Sequence, residues 1–316
     1  MGKKGKRAGK TGGGKANTKP KQGPGKARRE RAAALREIDA RLDALIAKLD
    51  VELRDVELFG PPEEREECPI CFVPMPLEPK QKVHVRCCGK TACMACALAS
   101  NATGLRTCPF CRAQIHDEEH DQQLRNRVEL GDVFAMEILA ESYEIGGNGV
   151  QKDDVAGMRL WLQAAELGHL PGLCALASRH LRNEFEGRTT LEQAMKLAEA
   201  AAKKGSVEGH HFLGILGLDI DKDMTQERAL KVEKAMKHLE HAAIAGNAPS
   251  FKMLREIRDE GGESLDVLLK HDTFEEMEAK HKEALALEWS EEREEVNKKR
   301  ELERELCEIV AQLEAG

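Results

Sequence analysis

The sequence predicts a mainly α protein: a small cysteine-rich finger followed by an α-solenoid of paired helices, flanked by long helices. Three observations predict it. Aromatic residues make up only 3% of the 316 residues and charged residues 33%, a balance that suits helical repeats better than a β-sandwich. Eight of the ten cysteines crowd between Cys68 and Cys111. A pair of alanines followed three residues on by glycine recurs as AAELG at 164–168, AAKKG at 201–205 and AAIAG at 242–246. The glycines are spaced 37 and 41 apart, a period typical of stacked helix pairs.

Residues 1–31 form a basic tail with eight lysines and four arginines against the single acid Glu30, whereas the whole chain carries −7. Its first 27 residues are rich in glycine and lysine with almost nothing apolar, which predicts disorder. A basic tail on an acidic body can bind nucleic acid, fold back on that body, or remain solvated. GKTGGGKA imitates a phosphate-binding loop but fails in both registers, Lys4 standing where the first glycine belongs and Ala16 where Ser or Thr belongs. No apolar run approaches the ~20 residues of a membrane span, and MGKKGKRAGK lacks the apolar stretch of a secretory signal. No membrane contact and a cytoplasmic or nuclear location are therefore expected.

Residues 32–60 carry a helical stripe. Leu35, Ile38, Leu42, Leu45 and Leu49 alternate spacings of three and four, and Leu53 and Val56 extend them. That is the seam of a coiled coil, and equally the face of one amphipathic helix packed on its own chain. Pro61-Pro62 stops the helix.

The finger occupies residues 66–113, spaced Cys68-x2-Cys71-x15-Cys87-Cys88-x4-Cys93-x2-Cys96-x11-Cys108-x2-Cys111. Zinc takes four tetrahedral ligands, and thiolates two residues apart wrap one side of the ion in a tight knuckle. Three such knuckles plus Cys87 and Cys88 provide eight thiolates, the number for two closed Zn2+ sites. In a chain without an export signal, paired cysteines point to metal rather than disulfides. His84, on a predicted strand KVHVR, is a reserve ligand should adjacent cysteines not both serve.

This arrangement resembles the RING finger in an all-cysteine variant. The resemblance implies that Cys68, Cys71, Cys93 and Cys96 hold one zinc, and that Cys108, Cys111 and two ligands from Cys87 and Cys88 hold the other. The usual histidine register would fall on Lys90, which cannot ligate when protonated; four residues between Cys88 and Cys93 instead match the all-cysteine form. The resemblance further implies a ubiquitin ligase without a covalent intermediate, which docks a ubiquitin-charged conjugating enzyme and restrains its ubiquitin in an attack-ready pose. Ile70 and Pro109 match the apolar contacts to the conjugating enzyme, and Arg112, directly after the last ligand, matches the linchpin between that enzyme and ubiquitin. Between the third and fourth pairs only Leu98 and Leu105 stand where the family has a bulky aromatic.

Residues 122–292 read as the solenoid. In the first unit Ala135, Ile138, Leu139 and Tyr143 share a helix face, Asp153 or Asp154 caps the next helix, and Met158, Trp161, Leu162 and Ala165 face inward until Gly168 ends it. Thr190 and Gln193 form the pattern of a capping box. AMEILAESYEIGGNGVQKDDVAGMRLWLQAAELGH resembles a Sel1-like repeat, related to TPR repeats, with Tyr143, Gly149-Val150, Asp153, Trp161, Ala164-Ala165 and Gly168 in place. The second unit keeps Gly187, Ala194 and Ala201-Ala202 but has His180 at the tyrosine position, and the third has lost the Gly-Val turn. This resemblance implies protein–protein interaction, with a substrate or adaptor bound to the solenoid, and no catalysis. The last stretch begins by capping the array. Residues 293–316 continue as a charged helix, either solvated or, through Val296, Leu302, Leu306 and Val310, a partner helix for self-association. Cys174 and Cys307 lie outside the finger as ordinary thiols. Two functions follow: a RING-type ligase that recruits its substrate through the repeats, or a non-enzymatic zinc-binding scaffold.

Overall fold

The computed structural model describes residues 24–102, 107–114, 120–147, 149–181, 189–218, 226–261, 274–287 and 298. The tail before residue 24, Leu105, Gly187 and, but for residue 298, the charged stretch 293–316 with Cys307 lie outside the described residues.

Helix α1 (Pro24–Glu52) precedes the finger, which contains strands β1 (Lys82–Val85) and β2 (Lys90–Cys93) and helix α2 (Met94–Ala102). The repeats follow as α3 (His120–Glu129), α4 (Val133–Ile145), α5 (Asp154–Glu166), α6 (Leu170–Ser178), α7 (Leu191–Lys203), α8 (Val207–Leu218), α9 (Gln226–Ile244), α10 (Ala248–Gly261) and α11 (Phe274–Ala286). Each helix from α3 to α10 packs against the next, and α6 also meets α8, so the array is a stack of helix pairs. No described helix is long and apolar enough to cross a membrane.

Local chemistry sets the helix ends. The Asp153 carboxylate accepts from the backbone N–H groups of Val155 and Ala156 and caps α5, which resolves the choice between Asp153 and Asp154. Thr190 and Gln193 exchange side-chain and backbone hydrogen bonds at the start of α7. The three landmark glycines adopt the left-handed conformation, with φ +88° at Gly168, +87° at Gly205 and +98° at Gly246. The alanine pairs ahead of them let the next helix close in: a Cβ on Gly209 would lie 2.5 Å from the Ala202 nitrogen. Within the first repeats the Trp161 indole N–H and the Arg179 guanidinium both donate to Glu144, at 3.0 and 2.6 Å, and tie α4, α5 and the end of α6 together.

The stripe on α1 is covered by the protein's own repeats. Ile38, Leu42, Leu45, Ile46, Leu49 and Leu53 are buried in one core with Trp161, Leu162, Leu197 and Ala198, and α1 lies along α5 and α7. Its polar edges are also matched: Arg41 pairs with Glu166 through two bonds of 3.1 and 2.6 Å, Gln193 donates to Asp43, and Lys204 to Glu52. Of the two readings of this stripe, the structure has the amphipathic helix packed on its own chain. A stripe of threes and fours specifies a buried face and not whose chain buries it. At the other end, Phe274 and Met277 of α11 join Met236, Leu239 and Leu254 in a second core, so α11 caps the array.

Helix α1 stops at Glu52, short of Pro61, and the chain from Leu58 to Gly60 lies on three histidines of α8 and α9. Phe59 stacks on His238 and His210 with centroids 4.8 and 5.4 Å apart. His210 and His241 donate to the carbonyls of Leu58 and Gly60. Burial, then the neighbouring imidazoles of His241 and His238, pushes His210 down to about 3. Burial and His241, against the pull of Glu199, push His238 down to about 4.

Two measurements test this packing. Leu42→Ala, at a site with 0% exposure, should lower unfolding stability by about 2–5 kcal/mol in urea titration. Because His210 and His238 are neutral when folded and titrate near 6.5 when unfolded, unfolding takes up protons below that pH. Stability should therefore fall as pH drops from about 6.5 towards 4, and replacing both histidines with phenylalanine should flatten that part of the profile.

Candidate metal centre

The eight cysteines gather into two groups of four. Cys68, Cys71, Cys93 and Cys96 form one and Cys87, Cys88, Cys108 and Cys111 the other, with all Sγ atoms of a group within 4.8 Å of each other. The first and third pairs along the chain thus meet, as do the second and fourth.

Two near-identical turns supply half of the thiols. Cys68 to Phe72 closes through Phe72 N–H on the Cys68 carbonyl at 2.8 Å and Cys68 N–H on Val73 at 2.9 Å. Cys108 to Arg112 repeats this, with Arg112 N–H on Cys108 at 3.0 Å and Cys108 N–H on Ala113 at 2.8 Å. Phe72 and Arg112, the residues after each turn, share the left-handed conformation at φ +59° and +60°. The third pair straddles the junction where β2 ends at Cys93 and α2 begins, one helical turn carrying Cys96 back beside it.

The second pair is the adjacent one. Strands β1 and β2 pair antiparallel with Val85 opposite Lys90, leaving Arg86, Cys87, Cys88 and Gly89 as the hairpin loop. Val85 carbonyl accepts from both Cys88 N–H and Gly89 N–H, at 3.2 and 2.8 Å, which makes the loop a single helical turn. In a strand adjacent side chains point to opposite faces; in a helical turn they stand roughly 100° apart, so neighbouring thiols can converge. Cys87 Sγ lies 3.5 Å from Cys111 Sγ, and Cys88 Sγ 3.8 Å from Cys108 Sγ. His84 is not in the group. It is buried against the repeats, with Nε2 3.2 Å from Asp132 Oδ2 but neither ring nitrogen aligned for a hydrogen bond. Burial, more than the Asp132 carboxylate opposes it, holds its pKa down.

The donor set fits a soft divalent ion. A tetrahedron of sulfurs about 2.3 Å from zinc has edges of about 3.8 Å, and the contacts of 3.5–4.0 Å between Sγ atoms lie around that value. Burial raises the Cys68 thiol, but N–H groups of Cys93, Cys71 and Ile70 aimed at its sulfur bring it down to about 6. At Cys108 burial is likewise outweighed by the N–H groups of Cys111 and Phe110, giving about 7. Cys96 and Cys87 are pushed up, first by burial and then by the neighbouring thiols. A cation at the centre reverses that repulsion, since metal binding releases the remaining protons.

Around the thiols, Ile70 is half-buried against the small cluster that contains Cys68 and Cys93, while Pro109 and Arg112 are exposed. Phe72 is 72% exposed and Leu98 41%. Sequence reasoning missed Phe72; the parallel of CPICF with CPFCR, which sets it in register with Arg112, was the available signal.

The finger lies along the glycine edge of the repeats. Glu63 N–H donates to Gly205 carbonyl at 3.0 Å, Leu77 fills the space a side chain on Gly246 would take, and Arg65 donates to Ala284 carbonyl at 3.2 Å. Between these contacts a cleft of about 390 Å³ opens over Leu167, Gly168, His169 and Glu208. Protein reconstituted with zinc should hold two equivalents by native mass spectrometry. Cys87→Ser and Cys88→Ser should each leave about one, and His84→Ala should leave two.

No family model matches the chain, and no curated protein matches it. Among solved structures, it is similar to a Sel1 repeat protein from Oxalobacter formigenes, at 21% identity and a TM-score of 0.42, over 60% of this chain and 72% of that one. It is also similar to a protective antigen of uropathogenic Escherichia coli displaying an SLR fold, at 17% identity and a TM-score of 0.38, over 64% of this chain and 42% of that one.

Proposed function

We propose that the protein is a RING-type ubiquitin ligase whose helix pairs recruit a substrate or adaptor. The observation that carries this reading is the interleaved pairing of the thiols, first with third and second with fourth. Two Zn2+ ions, one per group, supply structural rigidity. The chain's own residues do the rest. Ile70 and Pro109 offer the apolar footing for a conjugating enzyme, and the exposed Arg112 offers a planar, permanently charged donor to that enzyme and to ubiquitin together. Rate is gained by restricting the thioester-linked ubiquitin to attack-ready poses; nothing in the finger forms a covalent bond to it.

Placement of the finger supports a role for the repeats. Because the finger is held along the edge of the array, a protein bound to the helices stays at a set distance from a ubiquitin carried on the finger. Helix α1 covers α5 and α7, so a substrate would be taken up on a part of the array that α1 does not cover. A non-enzymatic scaffold is the second reading, and Leu98 favours it: α2 presents a leucine where the resemblance has a bulky aromatic.

Ubiquitin-chain synthesis with a panel of conjugating enzymes distinguishes the two. Wild type should form chains with at least one of them, and Arg112→Ala should slow chain formation at least about tenfold, the scale of one lost charge-assisted hydrogen bond. Ile70→Ala should weaken the response to conjugating-enzyme concentration. No chains with any enzyme, from protein shown to carry two zincs, would leave the scaffold as the function.

A further inference from the structure

We infer that Arg127 and Asp132, in the first turn of the repeats, are positioning residues of the second metal site: they form the outer wall of the loop that carries Cys87 and Cys88. This inference rests on the proposal that the four thiols of that site hold zinc.

The loop has an unusual task. With no spacer between its two cysteines, both sulfurs converge only while residues 86–89 keep the shape of a helical turn. Gly89 closes that turn at φ +72°. A Cβ on Gly89 would overlap the Arg127 guanidinium and come within 2.7 Å of Asp132 Oδ2. The absent side chain is therefore the space that Arg127 fills, and the loop is backed by the repeats.

Asp132 divides its two oxygens between tasks. Oδ1 caps α4 by accepting from Phe134 N–H and Ala135 N–H at 3.2 and 3.3 Å. Oδ2 accepts from Arg127 Nε at 2.8 Å, lies 2.7 Å from a terminal guanidinium nitrogen and 3.2 Å from His84 Nε2. The Asp132 side chain is only 6% exposed and that of His84 3%, so these contacts act away from water. His84 sits on β1 three residues before Cys87 and stacks on Phe134 of α4, with ring centroids 5.9 Å apart. One carboxylate thus ties the start of α4 to the arginine behind the loop, and the strand that leads into the loop packs beside them through His84. Contacts outside the ligand shell that hold metal ligands in place commonly change metal affinity by about 10–100-fold. The first site has no such backing from Arg127 or Asp132: its thiols come from the Cys68 turn and the junction of β2 with α2.

The test uses the full-length, zinc-loaded protein challenged with a chelator, following zinc release and mapping by mass spectrometry which cysteines become open to alkylation. Arg127→Met and Asp132→Asn are the variants; asparagine still caps α4, and circular dichroism reports whether the helices persist. In both variants one of two zinc equivalents should leave about 10–100-fold faster than in wild type. Cys87, Cys88, Cys108 and Cys111 should then be alkylated first, with Cys68, Cys71, Cys93 and Cys96 still protected. Release of both zincs at wild-type rates overturns the inference, and so does loosening of the two sites in step. Wild-type protein that holds fewer than two zincs instead overturns the metal assignment itself, before any variant is made.

Discussion

The array depends on the left-handed residue that ends every second helix. At Gly168, Gly205 and Gly246 the backbone takes a φ of +87° to +98°, a region costly for residues with a Cβ. There the chain reverses within a few residues and begins the next helix against the alanine pair it has just left. The same glycines leave the edge of the stack without side chains, so backbone can meet backbone. Glu63 donates directly to the Gly205 carbonyl, and Leu77 rests on Gly246. A turn signal repeated for the sake of the repeats is also the surface on which the finger rests.

The finger solves a different problem, how to converge eight thiols from a segment with little core of its own. Its hydrophobic cluster is small, with Met75, Ala92 and Ala95 around Cys68 and Cys93. Two turns of like conformation, one strand-to-helix junction and one hairpin loop bring the sulfurs together, and the hairpin loop is backed by Arg127 and Asp132 of the repeats. The finger and the array are therefore joined in structure at several points along the chain from Glu63 to Gly89.

Much of this was legible in residue spacing. The cysteine pairs, the 37- and 41-residue glycine period, and the Thr190–Gln193 cap are local patterns, and each is realised by contacts among near neighbours in the sequence. What was not legible lies at long range. Leu42 and Leu49 announce a buried face, but that α5 and α7 bury it depends on the whole stack. His84 reads as a spare metal ligand because a histidine on a strand beside cysteines has that chemistry; its place under Asp132 is set by a residue 48 positions on. Leu58 to Gly60 read as the tail of a helix, but they form a turn that lies on histidines 150 or more residues away. The adjacent cysteines posed a real ambiguity, since convergence depends on loop backbone shape and not on residue type.

Helix α1 has a mechanical meaning beyond its burial. A stack in which each repeat touches only its neighbours behaves as a one-dimensional chain of units, able to fray from either end and open one repeat at a time. By lying across α5 and α7 with Arg41, Asp43 and Glu52 fastened to both, α1 acts as a splint over two repeats. Those repeats cannot part without stripping the splint, so the middle of the array opens as one cooperative block. The elastic give of the solenoid is thereby shifted towards α9, α10 and α11, beyond the splint's reach.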